Sequence, residues 1–241
     1  QAIINLLNLS QGESIRSTLA ISKDSQTKFI IAATKHGLIK KTSIDLYANI
    51  KTSGLIAIDL RDGDELIKVM ASCADDHILL ATYNGKAIRF PEKDVRPTGR
   101  DTQGVKGIEM GKDDQLLSMT VLPSTKIVAT DKRYKVFREL LVVTEKGIGK
   151  RTAVTEYPLQ NRGGQGVKVA AINDKTGNIA AAILVTDSDE FIVITTSKAQ
   201  AIKLPLKNIP VLKRPTQGVI LVRLSDKADF VAAVATIEKE D

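Results

Sequence analysis

Short apolar runs that end in a turn recur along the whole chain. Four of them align without gaps: FIIAATKHG (29–37), HILLATYNG (77–85), ELLVVTEKG (139–147) and FIVITTSKA (191–199). Each has an apolar centre, a threonine, two polar residues and a closing glycine, which is an alanine in the last run. Runs of this length and composition predict buried strands that enter a hairpin. The glycine supplies the positive φ that tight hairpin turns require.

A second apolar module and a closing apolar strand complete each unit. The second module begins 17, 19, 19 and 19 residues after the first turn position, which is too regular for unrelated loops. The second modules are residues 54–60, 104–110, 166–172 and 218–224, and the closing strands are 66–71, 116–121, 179–185 and 230–236. The polar turns between them include RDGDE (61–65), whose carboxylates we interpret as turn residues and not as a magnesium site.

Units of about 50 residues with about four strands predict a propeller-like arrangement of blades. One blade cannot cover its own apolar faces, whereas neighbours stacked around an axis can. The predicted fold is therefore all-β, and we expect one domain over 1–241. Residues 1–28 match only the second half of a unit, so either the chain is a fragment of a longer protein or another segment completes that unit. The predicted full units are 29–76, 77–138, 139–189 and 190–241, and 123–138 is predicted to be an insertion loop.

Charge, cysteine and histidine content and the length of apolar runs limit which partners, metal sites and cellular settings fit the chain. The chain has 35 Lys and Arg against 28 Asp and Glu, a net charge of +7 that favours a polyanionic partner. Cys73 is the single cysteine, so no internal disulfide forms and a reducing, cytosolic setting fits best. We interpret the two histidines, His36 and His77, as surface or strand residues and not as zinc ligands. The longest apolar run, 179–185, is too short to span a bilayer.

Basic residues occupy two columns of the repeat. The position four residues after each first turn is basic in all four units, and the position four residues before the second glycine is basic in three. The first column is Lys41, Arg89, Arg151 and Lys203; the second is Ile50, Arg100, Arg162 and Arg214, with Lys51 beside the exception. Such residues also keep surfaces soluble, but repetition around an axis would turn each column into a curved positive stripe. A curved stripe suits duplex DNA, which carries a phosphate charge about every 1.7 Å.

The expected binding mode depends on charge and shape. No helix or ribbon is evident that could read base edges, and the aromatic residues form no column on which single strands could stack. The predicted DNA-binding residues are Lys40, Lys41, Lys51, Arg89, Arg96, Arg100, Lys106, Lys150, Arg151, Arg162, Gly163, Gly164, Lys203, Lys213 and Arg214.

A glycine-rich loop, QNRGGQG (160–166), carries Arg162 of the second column. Its counterparts are TGRDTQG (98–104) and LKRPTQG (212–218), so the loop is one copy of a recurrent element. We interpret Gly163 and Gly164 as residues that let the backbone approach a phosphate and donate N–H groups to it. The alternative is a sharp loop that needs positive φ, with a solvated arginine.

At this point the chain resembles a known family, the C-terminal domain of bacterial DNA gyrase A. The runs that carry the resemblance are IINLL (3–7), GLIAIDLRDGDELI (54–67), NGKAIRFPEKDVRPTGRDTQGVKGI (84–108), GIGKRTAVTEYPLQNRGGQGV (147–167) and PTQGVILVRL (215–224). The resemblance implies a β-pinwheel that bends and wraps duplex DNA along its outer rim with a fixed hand. Related alternatives are the matching domain of topoisomerase IV, which tunes substrate choice, and a protein-interaction propeller with incidental charge.

The resemblance also implies the setting of the domain. It would be a non-catalytic, monomeric part of a bacterial type IIA topoisomerase that acts in the cytoplasm at the nucleoid, away from membranes. Its partners would be duplex DNA, the N-terminal region of gyrase A, and gyrase B in an A2B2 holoenzyme. No cofactor is expected in this domain, since Mg²⁺ and ATP are used elsewhere in the holoenzyme. Arg133–Tyr134 imitates the catalytic pair but lies in the insertion. The family's box, Gln-(Arg/Lys)-Arg-Gly-Gly-(Arg/Lys)-Gly, has cations where this chain has Asn161 and Gln165.

Overall fold

The computed structural model describes residues 13–22, 25–49, 54–123 and 137–239. Lys51, Arg133–Tyr134 and most of the predicted insertion at 123–138 lie outside these ranges. The described strands are β1 (Phe29–Thr34), β2 (Leu38–Ser43), β3 (Leu66–Ser72), β4 (His77–Thr82), β5 (Lys86–Pro91), β6 (Val105–Lys106), β7 (Leu116–Leu122), β8 (Phe137–Thr144), β9 (Ile148–Ala153), β10 (Val167–Lys168), β11 (Ile179–Thr186), β12 (Asp189–Thr196), β13 (Ala201–Pro205), β14 (Val219–Ile220) and β15 (Val231–Glu238). The described helices are single 3₁₀ turns, Ile44–Tyr47, Glu92–Asp94, Val154–Glu156 and Leu206–Asn208, so the all-β prediction is confirmed.

The strands form four antiparallel sheets, and three of these sheets take a strand from the following repeat. Their orders are β3-β1-β2-β6, β7-β4-β5-β10, β11-β8-β9-β14 and β15-β12-β13. In the first sheet, for example, Val105 pairs with Ile39 and Lys106 pairs with Leu38. The sequence predicted four-stranded units but not this exchange. In the last three repeats the second module supplies only a two-residue strand, which pairs with the sheet before its own; residues 54–60 of the first repeat form no strand.

The closing strands lie innermost and the exchanged strands lie outermost. Contacts run from β3 to β7, from β7 to β11 and from β11 to β15, so the first strand of each sheet faces the first strand of the next. The exchanged strands β6, β10 and β14 sit at the opposite edge of their sheets. They therefore form the rim. Apolar clusters fill the space between successive sheets and join adjacent repeats, as where Ile31 and Phe90 share one cluster. This confirms that a blade buries its faces against its neighbours.

The four hairpin turns have the backbone that the sequence predicted. Gly37, Gly85 and Gly147 have φ between 76° and 81°, and Ala199 has φ of 59°. At Gly147 an added Cβ would lie 2.6 Å from the Cγ1 atom of Val222. Glycine is required there for both backbone and space. Ala199 keeps its Cβ in the left-handed region, where an L-residue is strained by about 1–2 kcal/mol.

Replacing Ala199 by glycine is expected to stabilise the domain. The relief of left-handed strain exceeds the backbone entropy that glycine loses on folding, which leaves a net gain of about 0.5–1 kcal/mol. In a domain of this size the midpoint of thermal unfolding should rise by about 1–3 °C, as measured by differential scanning calorimetry. The opposite change, Gly147→Ala, serves as the comparison and should lower the midpoint. A lower midpoint for Ala199→Gly would contradict the strain argument.

The polar turns use their carboxylates to cap the backbone. The Oδ1 atom of Asp64 accepts the N–H groups of His36 and Glu65, each at 2.9 Å. Asp114 receives the N–H groups of Asn84 and Gln115 in the same way. These bonds support the turn interpretation of RDGDE. In the described ranges no three His, Cys, Asp or Glu side chains are grouped to hold a metal ion, and no helix there has the length and apolarity to cross a bilayer.

Candidate nucleic-acid interface

The first basic column packs against the strand beside it. Lys41 pairs with Ile31, so its side chain shares a face with Phe29, two residues away on the partner strand. Its Nζ atom lies 4.2 Å from the centre of the Phe29 ring. The equivalent pair is Lys203 with Phe191, at 4.0 Å. In the third sheet a carboxylate takes the place of the ring: Arg151 Nη1 lies 2.6 Å from the Oε2 atom of Glu139.

The same column connects adjacent repeats. Lys41 forms an ion pair with Glu92 of the next repeat at 2.8 Å, and both side chains are almost fully buried. Arg89 Nη1 donates to the carbonyl oxygen of Val154 at 3.3 Å. Arg151 Nε donates to the carbonyl oxygen of Ile209 at 2.8 Å. Each of these acceptors belongs to, or directly follows, a 3₁₀ turn of the following repeat. These contacts therefore stabilise the junctions between repeats.

The prediction that the first column forms an exposed positive stripe is wrong. Lys41 and Arg151 are tied up in internal ion pairs, and Arg89 is half-buried under the next repeat. Lys203 is exposed and contacts no following repeat within the described part of the chain. A sequence column of cations does not reveal burial, because the carboxylate partner of Lys41 lies 51 residues further on.

Two further predicted residues, Lys40 and Lys150, are buried. Lys40 Nζ donates to the Thr42 hydroxyl at 2.6 Å and to the Ala57 carbonyl at 3.0 Å. Burial lowers the pKa of Lys40 to about 8, against a weaker opposing effect of Asp101, because a charged group loses hydration in the interior. Burial likewise lowers the pKa of Lys150 to about 8, and the Arg214 charge adds to this effect. Neither ammonium group reaches the surface, so neither is available to a phosphate.

The second basic column lies on the rim. Arg162 donates its Nε to the carbonyl oxygen of Asp94 at 3.1 Å and its Nη1 to that of Lys106. Arg214 donates its Nη1 to the carbonyl oxygen of Lys168 at 3.2 Å. Lys106 and Lys168 are the second residues of the exchanged strands β6 and β10, and both are exposed. Each arginine is therefore fixed beside the rim lysine of the preceding repeat.

Together these residues form a cationic rim surface. An arginine has five N–H groups, so the two carbonyl bonds of Arg162 leave three that can be donated to an anion. On the recurrent loops Lys213 is exposed and Arg100 is half-buried, and Arg96, two residues before the 98–104 loop, is exposed. The residues that we call the rim cations are Arg96, Arg100, Lys106, Arg162, Lys168, Lys213 and Arg214.

The glycine-rich loop is anchored to the preceding repeat by its own backbone. The N–H group of Gly163 donates to the carbonyl oxygen of Gly107 at 2.8 Å, so it is not free for a phosphate as the sequence had suggested. The carbonyl oxygen of Gly164 accepts the N–H group of Glu109 at 2.9 Å. Gly166 has φ of 69°, and a Cβ there would overlap the carbonyl oxygen of Ala87.

Comparison with known proteins gives the same repeat. The family described as the DNA gyrase C-terminal domain, beta-propeller, matches residues 28–73, 76–123, 138–186 and 190–238, which is most of the chain. The chain belongs to this family. Each match covers the hairpin and the closing strand of one repeat.

Similar proteins and structures extend the comparison. The DNA gyrase A protein of Deinococcus deserti is 40% identical over 242 residues, covering 99% of this chain and 28% of the relative. The DNA gyrase A protein of Staphylococcus epidermidis is 38% identical over 240 residues, covering 99% and 26%. This chain therefore spans about a quarter of these relatives. A solved DNA gyrase A C-terminal domain superimposes with a TM-score of 0.78 at 25% identity, over 98% of this chain and 74% of that one. A C-terminal domain of DNA topoisomerase IV has the same fold, with a TM-score of 0.85 at 23% identity, over 99% and 70%.

In this member of the gyrase C-terminal family, Lys168 is a rim cation that the sequence places beside the basic columns but that is not among the predicted DNA-binding residues. A signal for it exists in the sequence, since Lys106 and Lys168 both stand two residues after the second glycine of their repeats. The column was not evident because Ile56 and Ile220 occupy it in the other two repeats. The strand exchange shows why the column matters, because it places both lysines at the edge of a sheet.

Proposed function

We propose that this domain binds duplex DNA through the rim cations and bends it along the rim, without reading base sequence. The observation that carries the proposal is the repeated pairing of a loop arginine with a rim lysine: Arg162 with Lys106, and Arg214 with Lys168. Because the pairs lie on successive sheets around one axis, phosphates that meet all of them follow a curved path. Bending is favoured when the contacts it permits exceed its elastic cost.

Electrostatics favours a polyanion over other partners. Each phosphate neutralised by a lysine or arginine releases condensed counterions, which makes binding favourable at low salt. The chain has a net charge of +7, and the seven rim cations lie on the exchanged strands and on or beside the recurrent loops. The recurrent loops that carry the rim arginines contain no aromatic residue. Proteins that bind single strands use aromatic rings as stacking platforms. Duplex DNA, contacted at its backbone, is therefore the ligand that fits this surface.

Family membership supports a proposed role in a longer protein. As the C-terminal part of DNA gyrase A, the domain would hold a wrapped DNA segment with one hand, and the holoenzyme would use that wrap for ATP-dependent negative supercoiling. The domain itself would be non-catalytic and need no cofactor, with Mg²⁺ and ATP acting elsewhere. Its partners would be the rest of gyrase A and gyrase B, in the bacterial cytoplasm at the nucleoid.

The matching domain of topoisomerase IV is the second candidate. Its solved C-terminal domain has the same fold, with a TM-score of 0.85. The relatives with 40% and 38% identity are gyrase A proteins, which favours the first candidate. The two differ in outcome, because a wrapping domain constrains supercoils, whereas a domain that only tunes substrate choice binds DNA with little change of linking number.

A linking-number measurement tests the proposal. The protein is bound to relaxed plasmid, the plasmid is closed by a nicking–closing enzyme, and the topoisomers are separated on a gel. We expect a shift of one sign that grows with protein concentration. Binding without a shift would remove the wrapping part and favour the topoisomerase IV role.

Salt dependence tests the binding itself. The logarithm of the binding constant should fall linearly with the logarithm of salt concentration, by about 0.9 per phosphate neutralised. With the rim cations engaged, the slope measured by fluorescence anisotropy on a mixed-sequence duplex should lie between about −3 and −6. Scrambling the base sequence should leave both affinity and slope unchanged. A flat response would instead favour a protein-interaction surface whose charge is incidental.

A further inference from the structure

Three junctions between repeats can be compared at one position. The residue three places after the turn glycine of one repeat faces the recurrent loop of the next. That residue is Lys40, Ile88 or Lys150 in the three junctions. The junctions thus contain either a buried lysine or a buried apolar residue.

At the junction without a lysine, the loop holds itself in place. Gly163 donates its N–H group to Gly107, and Gly164 accepts one from Glu109. Arg162 adds two bonds to backbone carbonyls. Ile88 packs below, 3.7 Å from the position that a Cβ on Gly164 would occupy.

At the junction of Lys150, proline removes one of these bonds. Pro215 occupies the position of Gly163, and proline has no N–H group to donate. Arg214, the equivalent of Arg162, makes one carbonyl bond where Arg162 makes two. Its guanidinium carbon lies 6.0 Å from the centre of the buried Tyr157 ring. This loop therefore has fewer anchors of its own than the glycine-rich loop.

Lys150 supplies the missing anchors from below. Its Nζ atom lies 2.7 Å from the carbonyl oxygen of Lys213 and 2.5 Å from that of Arg214. It lies 3.1 Å from the hydroxyl oxygen of Thr216, and that hydroxyl donates to the Lys213 carbonyl at 2.7 Å. An ammonium group has three N–H donors, and all three are used on this one loop. The side chain of Lys150 is fully buried, so its role is internal.

We propose that Lys150 is a positioning residue: its ammonium group holds the 213–216 loop so that Lys213 and Arg214 face the DNA backbone. The proposal rests on the proposed DNA-binding function and extends it to a residue that touches no DNA. It assigns the lysine to compensate for the N–H group that Pro215 lacks. An internal role also agrees with the complete burial of Lys150, which the sequence had predicted to bind DNA.

The test is a double-mutant cycle on the 241-residue chain. Lys150→Met keeps the length of the side chain and removes the ammonium group. We expect the affinity for a mixed-sequence duplex to fall by about tenfold at 0.1 M salt, with a salt slope shallower by about one phosphate contact. In a background with Lys213→Gln and Arg214→Gln, Lys150→Met should cause no further loss, because it acts through those residues. An equal loss in both backgrounds would overturn the proposal.

Matched variants separate positioning from stability. Lys40→Met removes a buried lysine that donates to Thr42 and Ala57, so it should leave the binding contribution of Lys213 and Arg214 intact. If Lys150→Met fails to fold, Thr216→Val removes one of the three acceptors and should show a smaller loss with the same non-additivity. An additive loss with Thr216→Val would count against the proposal.

Amide hydrogen exchange measures how firmly the 213–216 loop is held in the absence of DNA. Exchange at Thr216 and Gln217 should be faster in Lys150→Met than in the unchanged chain, and Lys40→Met should have no such effect. Unchanged exchange would overturn the positioning role, whatever the DNA result. If the unchanged chain shows no salt-dependent DNA binding, the proposed function fails, and exchange still decides whether Lys150 holds the loop.

Discussion

Replacing Arg100, Arg162 and Arg214 together by glutamine is expected to weaken binding of duplex DNA by about 10²- to 10³-fold at 0.1 M salt. Each lost phosphate contact removes about one unit from the logarithm of the binding constant under these conditions. The salt slope should become shallower by about 2–3 for the same reason. The glutamine amide extends about as far as arginine Nε, so at position 162 it can still donate to the Asp94 carbonyl oxygen, and the backbone bonds of the loops are unchanged. Fluorescence anisotropy over a range of salt concentrations measures both quantities.

A control with the same change of charge separates the rim from net charge. Lys68, Lys112 and Lys227 are exposed and lie outside the recurrent loops. Changing all three to glutamine also removes three positive charges, but affinity should fall less than tenfold, because distant charges are screened over about 10 Å at 0.1 M salt. Equal losses in the two triple variants would show that total charge, and not its placement on the rim, determines binding. Thermal unfolding of each variant checks that the fold is retained, since a loss of fold would make these arginines structural.

Replacing Glu92 by glutamine is expected to lower the free energy of unfolding by about 3–5 kcal/mol, because it leaves the Lys41 charge buried without its partner. The Glu92 side chain is completely buried, with its Oε1 atom 2.8 Å from Lys41 Nζ and its Oε2 atom accepting the hydroxyl of Ser72. In a domain of this size the loss corresponds to a fall of about 10 °C or more in the midpoint of thermal unfolding. Urea unfolding followed by circular dichroism measures the free energy.

Two further variants test the cause. The double change Lys41→Met with Glu92→Leu removes both charges, and it should recover much of the lost stability, because an apolar pair of similar size avoids the desolvation cost. Asp226→Asn breaks the exposed pair with Lys198 and should lower the free energy of unfolding much less than Glu92→Gln, because solvent screens an exposed pair. A loss below about 1 kcal/mol for Glu92→Gln would show that Lys41 finds another partner and that the junction does not depend on this pair.

The sequence was sufficient for the hairpins, the closing strands and their turns, but not for the second modules or for how strands pair between repeats. The apolar runs around Ile31, Leu79 and Leu141 and the glycines that follow them identify hairpins because local periodicity and φ preference are properties of the chain itself. Pairing between repeats is different. A two-residue strand such as Val105–Lys106 has too few positions for its pattern to specify a partner, so the exchange becomes visible only in three dimensions.

The two basic columns differ in the same way. The location of the second column could be predicted from the sequence, and the burial of the first could not. Arg162 and Arg214 lie on loops rich in glycine, proline and polar residues, and loops of this composition lie at the surface, so their location on the rim was predictable. The column of Lys41 lies on a strand, where neighbouring repeats decide which side chains remain exposed. Glu92 and Glu139 neutralise two of its members, and no periodic signal distinguishes these glutamates from solvated ones. Lys168 was left out of the predicted site because isoleucine occupies its position in two of the four repeats.

Because of the exchanged strands, a sequence repeat and a sheet do not consist of the same residues. Three of the described sheets take their outer strand from the following repeat. Excising residues 77–122 as an isolated module would remove Val167–Lys168 from its sheet and leave Val105–Lys106 without the strand it completes. Shortened or permuted versions of this architecture therefore cannot be cut cleanly at the boundaries that the sequence suggests. A workable division has to keep each hairpin together with the first residues of the second module of the next repeat, because those residues supply the outer strand of its sheet.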